Sequence, residues 1–228
     1  MHRLDLIQQL IDRRRFRTYL EIGVSGGGVF FRVKCRKKIA VDPNFVFNWK
    51  GKLGEMWRNP SNIAASYFEM TSDQFFSTMS DKTFQGRTVD VVLVDGMHTF
   101  DYALRDVINS LKYLSEGGVI IMHDCNPLTE EATCSFDEWK GRGFTGYWNG
   151  DVWKVIPYLR QARPDLDVFV ADCDHGLGIV RKSGHKALET AGPDVTSFRT
   201  LGFQDLKNSR EKILNLRPAS SLRDLVGD

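Results

Sequence analysis

The sequence predicts an α/β fold: a doubly wound, mostly parallel sheet in one domain. Three observations carry that expectation. Strand-like apolar runs alternate with helix-like amphipathic runs from residue 18 to 124. The first run, in "YLEIGVSGGGVF" (19–30), passes directly into a glycine-rich turn. Several runs then end on an acid or a histidine, the rim where such sheets bind ligands.

The 228 residues, 42% hydrophobic and 26% charged, suffice for one sizeable core. The domain is expected to span 1–228, with 125–150 as a candidate lid insertion and 184–228 as a C-terminal extension. A net charge of +2 gives no nucleic-acid footprint. No apolar stretch approaches the ~20 residues of a membrane span. The opening "MHRLDLIQQLIDRRRFR" interleaves charge with its apolar residues, unlike a signal peptide. Cytoplasm is the expected compartment, and a small molecule the expected partner, with neither nucleic acid nor membrane; a homo-oligomer stays open. Cys35, Cys125, Cys134 and Cys173 form no CxxC pair, so four reduced thiols are expected.

Leu4, Leu6, Ile7, Leu10 and Ile11 recur at helical spacing and predict a helix over 4–15, with Arg13, Arg14 and Arg15 suited to its C-terminal dipole. A strand follows at 18–22, then the turn, then a short helix over about 27–36. "KIAVD" (38–42) predicts a second strand, and the basic residues Lys34, Arg36, Lys37 and Lys38 before it are expected to face solvent. Residues 45–65 give no clear period, and "SYFEM" (66–70) reads as a third strand. Thr71 with Gln74 three later is a capping box that starts a helix over 71–79. "VDVVLVD" (89–95) is a buried strand, 101–114 an amphipathic helix closed by Gly117 and Gly118, and "VIIMHD" (119–124) another strand. Residues 151–162 predict a helix despite Pro157. Strands at 167–171 and 177–181 follow, turning at Asp174, His175 and Gly176, and a helix lies near 204–215.

The glycine turn admits several chemistries. A P-loop needs Lys followed by Ser or Thr, but Val29 and Phe30 follow here. Gly23-Val24-Ser25-Gly26-Gly27 matches the nucleophile elbow, yet the 22 residues before Gly23 are too few for that architecture. In a dinucleotide fingerprint the middle glycine admits the pyrophosphate, and Ser25 stands in its place. The remaining pattern, E-x-G-x-x-G from Glu21, lets backbone groups approach an amino-acid-like ligand at Gly23 and Gly26. Asp42, 19 residues after Gly23, stands where an acid accepts two ribose hydroxyls.

"YLEIGVSGGG", "IAVDP", "MTSDQFF", "VDVVLVDGMHTFDYALRDV" and "GGVIIMHDCNP", in this order and spacing, resemble the Rossmann-like S-adenosylmethionine-dependent methyltransferases over residues 18–182. The likeness is greatest to the small-molecule O-methyltransferase branch with a D-G-x-H segment. The resemblance implies a seven-stranded sheet with the last strand antiparallel, and methyl transfer to a hydroxyl of a small molecule. By matching position, Glu21, Gly23 and Gly26 would line the methionine part, Asp42 the ribose, and Ser72 and Asp73 would sit by the adenine, with Ser25 and Asp95 also expected to bind the cofactor. An NAD(P)-dependent oxidoreductase and a nucleoside-binding module without catalysis are the rival readings.

Asp95 and His98 in "VDGMHTFD" carry the candidate chemistry. An alcohol must lose its proton as it takes a methyl group, and a histidine titrating near neutrality can receive it. The bland alternative is that both residues cap the helix beginning near Asp101. In metal-dependent relatives the positions of Asp95, His123 and Asp124 hold Mg²⁺, but an imidazole at His123 suits a softer ion better. Without a metal, the two carboxylates would orient the acceptor hydroxyl. Aromatic residues among glycines in 125–150 suit a lid or a self-packed loop.

Overall fold

The structure, a computed structural model, describes residues 1–184 and 193–227. The expected extension over 184–228 therefore lies partly outside the described residues, at 185–192 and 228. In chain order the elements begin with α1 (Arg3–Arg14), β1 (Thr18–Ile22), β2 (Lys37–Asp42), α2 (Trp49–Arg58), β3 (Ser66–Glu69), α3 (Ser72–Thr78) and α4 (Ser80–Phe84). Next come β4 (Val89–Val94), α5 (Phe100–Leu111), β5 (Leu114–Met122), α6 (Phe136–Gly141) and α7 (Val155–Ala162). The chain closes with β6 (Leu166–Asp172), β7 (Leu177–Lys182), α8 (Val195–Arg199), α9 (Phe203–Leu214), β8 (Leu216–Pro218) and α10 (Leu222–Val226).

The eight strands of the described residues form one sheet in the order β3-β2-β1-β4-β5-β7-β6-β8. The pairs from β3 to β5 are parallel, and β7 runs antiparallel to both β5 and β6. The hairpin read from the last two long strands is thus present. An eighth strand adds to the seven implied, because the chain after α9 returns beside β6, with Val170 opposite Leu216. Chain order reverses between β1 and β4, which places the ligand crevice beyond their carboxyl ends.

Alternation along the strands divides the core in two. Leu20 and Ile22 pack with Phe100, Ala103 and Val107 of α5 on one face. Tyr19, Val91 and Leu93 meet Leu6, Ile7 and Leu10 of α1 on the other. Each such burial contributes about 1.5–3 kcal/mol. His2 and Asp5 close a capping box on α1, and Arg15 ends it in a left-handed conformation at φ 57°. Thr71 and Gln74 form the expected box on α3.

Three expectations are corrected. The helix over 27–36 is a set of turns, because Phe30, Phe31 and Val33 are drawn into the core and Gly27 adopts φ +77°. The helix from 101 ends at Leu111, and Gly117 and Gly118 lie inside β5 instead of closing it. Lys38 is buried, its ammonium donating to the carbonyls of Phe30 and Val33 and to Asn62 Oδ1. Those three acceptors satisfy every ammonium proton, which makes the burial tolerable. Among the described residues no helix is long and apolar enough to cross a membrane.

Candidate active site at the carboxyl ends of the central strands

A pocket of about 390 Å³ opens at the reversal point, within the size range of small-molecule sites. Gly23, Ser25, Asp42, Ser72 and Asp95 line it, so five of the expected cofactor residues come together. Glu21, Gly26 and Asp73 do not line it. Glu21 is buried and accepts a 2.5 Å bond from the Tyr19 hydroxyl, and burial pushes its pKa up to about 8. Gly26 is exposed with open space around it. Asp73 is bound by Arg105 at 3.1 and 3.0 Å on the surface.

Gly23 has φ +87°, and a Cβ there would lie 2.2 Å from the Asp95 carbonyl oxygen. Its freedom thus serves the close approach of the β1 and β4 ends, where the sequence suggested room for a ligand. The ladders extend past the strand ends, with Gly23 N donating to Val41 O at 2.9 Å and Asp95 N to Ile22 O at 2.9 Å. Asp42 fixes the turn from the other side: Oδ2 accepts from Ser25 N and Oδ1 from Asn44 N, both at 2.7 Å.

Beyond β4 and β5 the polar groups form one network. His98 Nδ1 lies 2.8 Å from the Trp148 carbonyl oxygen and 3.2 Å from Asp124 Oδ2. A carbonyl only accepts, so Nδ1 carries the proton and Nε2, 3.7 Å from Asp95 Oδ1, presents a lone pair when the ring is neutral. Burial alone would lower the His98 pKa, but Asp95, Asp124 and the Trp148 carbonyl outweigh it and raise it above the ordinary value. The Trp148 ring stacks on His98, with centroids 5.0 Å apart. Gly150 reaches the same histidine, since a Cβ on it would collide with the His98 carbonyl. Residues 125–150 therefore pack over His98 through Trp148, which itself stacks on Trp139.

His123 Nδ1 lies 3.2 Å from Asp95 Oδ1 and 3.1 Å from Asp124 Oδ2. Arg3, reaching in from α1, places Nη1 2.9 Å from His123 Nε2 and 3.1 Å from Asp174 Oδ2. A guanidinium only donates, so Nε2 accepts from Arg3 only when the ring is neutral, while Nδ1 donates to the two acids in either charge state. Burial would lower the His123 pKa, yet Asp124, Asp174 and Asp95 pull it up to about 11. Asp95 responds in kind. Burial raises its carboxyl, but hydrogen bonds from His123 and His98 and the Arg3 charge hold it well below the usual range. Arg3 Nε stands 3.4 Å from Asp95 Oδ2, an ion pair that lacks hydrogen-bond geometry.

Among the described residues, Asp95, His98 and Asp124 offer ligating atoms that all lie within 4.8 Å of one another, as a metal ion would need. His123, expected in that set, stands beside both acids as well, its Nδ1 3.2 Å from Asp95 Oδ1 and 3.1 Å from Asp124 Oδ2. Two carboxylates and an imidazole fit a divalent transition ion better than magnesium.

Sequence reasoning missed Arg3, Trp148 and Asp106. Asp106 lies on α5, lines the pocket and is 3% exposed. Its position on the apolar stripe of Phe100, Ala103 and Val107 was the available signal.

The sequence profile of a methyltransferase domain family matches residues 20–125. No curated protein matches the chain. Among solved structures, a Burkholderia thailandensis O-methyltransferase family protein superposes at TM-score 0.53 and 16% identity, over 80% of this chain and 56% of that one. The chain thus spans little more than half of that relative's length. A Podospora anserina methyltransferase solved with SAH bound gives 0.56 and 18%, over 80% of each chain. The O-methyltransferase TomG of Streptomyces achromogenes, solved in complex with SAM, gives 0.55 and 14%, over 78% and 79%. At these identities the likeness shows the Rossmann-like methyltransferase fold.

Proposed function

We propose that this chain, whose residues 20–125 match the profile of a methyltransferase domain family, methylates a hydroxyl of a small molecule with S-adenosylmethionine as donor. The observation that carries the reading is that Asp95 joins two features: it lines the pocket together with Asp42, and it lies 3.7 Å from His98 Nε2, whose ring is held in one tautomer by the Trp148 carbonyl. Asp42, lining that pocket at the end of β2, is the candidate ribose partner. Gly23 and Ser25, lining the same pocket, are the candidate partners of the methionine part.

S-adenosylmethionine supplies an electrophilic methyl carbon. The acceptor oxygen forms its bond to that carbon as the carbon–sulfur bond breaks, and the pair of electrons stays on sulfur. The acceptor proton passes to His98 Nε2, the ring's free lone pair. Asp95 and Asp124 stabilise the imidazolium that results, at 3.7 and 3.2 Å. Trp148 holds the ring in plane and keeps water from its face. Residues 125–150 act as the lid over the acceptor. Asp95, His98 and Asp124 would hold a divalent ion if one binds, and such an ion would lower the acceptor's pKa.

The test is turnover. Purified protein, given S-adenosylmethionine labelled in its methyl group and a panel of phenols, sugars and catechols, should yield labelled ethers and S-adenosylhomocysteine in equal amounts. Label on nitrogen or carbon acceptors alone would overturn the hydroxyl assignment.

A further inference from the structure

Six exposed cations on one flank of the molecule stand without a partner. Arg13, Arg15 and Arg17 lie where α1 passes into β1, and Arg32, Lys34 and Arg36 on the turns before β2. Among the described residues none of these six side chains makes an ion pair or a hydrogen bond. Arginines elsewhere are engaged: Arg105 by Asp73, Arg163 by Asp165 and Arg199 by Asp101. Two acids share the flank, Asp5 and Asp12, and Asp12 already accepts from Gln8 at 2.9 Å. Cations therefore dominate it, although the whole chain carries only +2.

Backbone bonds join the six into one surface. Lys37 N donates to Arg17 O at 2.9 Å, and Gln8 of α1 exchanges two hydrogen bonds with the Lys34 backbone. Asn59 and Asn62, both buried, donate to the Phe31 carbonyl, and Asn59 also to that of Val33, which fastens the end of α2 to the same turns. That end carries three apolar side chains out to solvent. Leu53 and Trp57, one turn apart on α2, are 47% and 89% exposed, and Ile63 is 68% exposed. Phosphate or carboxylate alone would suit the arginines, but neither accounts for these three. A protein interface sets its apolar residues in a core depleted of charge, whereas here six cations adjoin them. An indole at headgroup depth, aliphatic side chains at the acyl boundary and arginines on the phosphates together suit an anionic bilayer. Arg17 and Arg36 precede β1 and β2, while the pocket opens beyond the carboxyl ends of those strands, so docking by this flank leaves its mouth clear.

We propose that this flank docks on an anionic phospholipid bilayer, with Trp57 and Ile63 entering the interface and Arg32, Lys34 and Arg36 meeting the headgroups, a contact independent of the cofactor reading above. Net charge and the lack of a span, on which the expectation of no membrane partner rested, do not report a one-sided surface.

The experiment is co-sedimentation of the purified protein with vesicles of phosphatidylglycerol and phosphatidylcholine in equal parts, and with vesicles of phosphatidylcholine alone. The wild type should bind the anionic vesicles at least about tenfold tighter, and less so as salt is added. R32E/R36E should lose that preference, and W57A should bind the anionic vesicles about tenfold more weakly. K207E, on α9 across the sheet, should keep the wild-type preference. All four positions are exposed, so the variants should fold, as circular dichroism can verify. Equal wild-type affinity for the two vesicles, no binding to either, or an anionic preference that survives R32E/R36E would overturn the proposal. So would full anionic affinity in W57A. Binding of a DNA duplex in place of vesicles, lost in R32E/R36E, would overturn it in favour of nucleic acid.

Discussion

His98 and Trp148, fifty residues apart, meet twice: the imidazole donates from Nδ1 to the Trp148 carbonyl at 2.8 Å, and the two rings stack at 5.0 Å. The pairing fixes which nitrogen can receive a proton. It also ties residues 125–150 to the histidine beneath them, so the position of that segment and the orientation of the imidazole are one property.

Removing the base should slow chemistry and spare binding. A positioned base contributes about 10²–10⁴-fold, so His98→Ala should lose turnover on that scale with unchanged affinity for S-adenosylhomocysteine. The lost rate should partly return at high pH, as the acceptor hydroxyl ionises unaided. A silent His98→Ala in steady-state assays would remove the base role.

The pH profile follows from the sign of the His98 shift. Asp95 and Asp124 raise its pKa above 6.5 despite burial, so the ring holds its proton below that raised value and cannot accept another. Turnover should therefore rise with pH to a plateau, with a midpoint above 6.5. A midpoint below that value would show the ring free of its carboxylate partners.

Asp42→Ala should weaken S-adenosylhomocysteine binding by about 1.5–3 kcal/mol, the range for charge-assisted hydrogen bonds. Circular dichroism must accompany the titration, because Asp42 also anchors Ser25 and Asn44. Full affinity in a folded mutant would take Asp42 out of the site.

Gly23→Ala places a Cβ 2.2 Å from the Asp95 carbonyl oxygen at a positive φ. Overpacking and backbone strain of this kind cost about 1–3 kcal/mol each. The melting temperature should fall by several degrees, and a melt within one degree of wild type would show that the β1 and β4 ends separate easily.

EDTA should leave turnover intact, because Asp95 Oδ1 and Asp124 Oδ2 already receive the His123 Nδ1 proton and Arg3 stands beside Asp95. Activity lost to EDTA and restored by a divalent ion would make His98 a ligand and assign the proton elsewhere.

The fold was legible because its strands are dense apolar runs ended by acids. "VDVVLVD" and "KIAVD" admit little else, and Thr71 with Gln74 marks a helix start by chemistry alone. The stretch after the glycines misled for a physical reason: Val29, Phe30 and Phe31 have an apolar content that suits a helix, but the core takes them as turns. Lys38 misled because nothing local announces that Asn62 and two carbonyls will receive its ammonium. The rim acids and histidines were visible as strand ends. Their partners were not, since Arg3 lies 171 residues from Asp174 and 120 from His123. Only the closed sheet brings them together. The eighth strand is three residues long, too short to show a period.

The central claim is that the pocket between Gly23, Asp42 and Asp106 is built for S-adenosylmethionine. Calorimetric titration of the purified protein with S-adenosylmethionine and, separately, with NAD(H) tests it most directly. The account predicts one site per chain for S-adenosylmethionine, weakened in Asp42→Ala, and no binding of NAD(H). Saturable binding of NAD(H) with none of S-adenosylmethionine would contradict it.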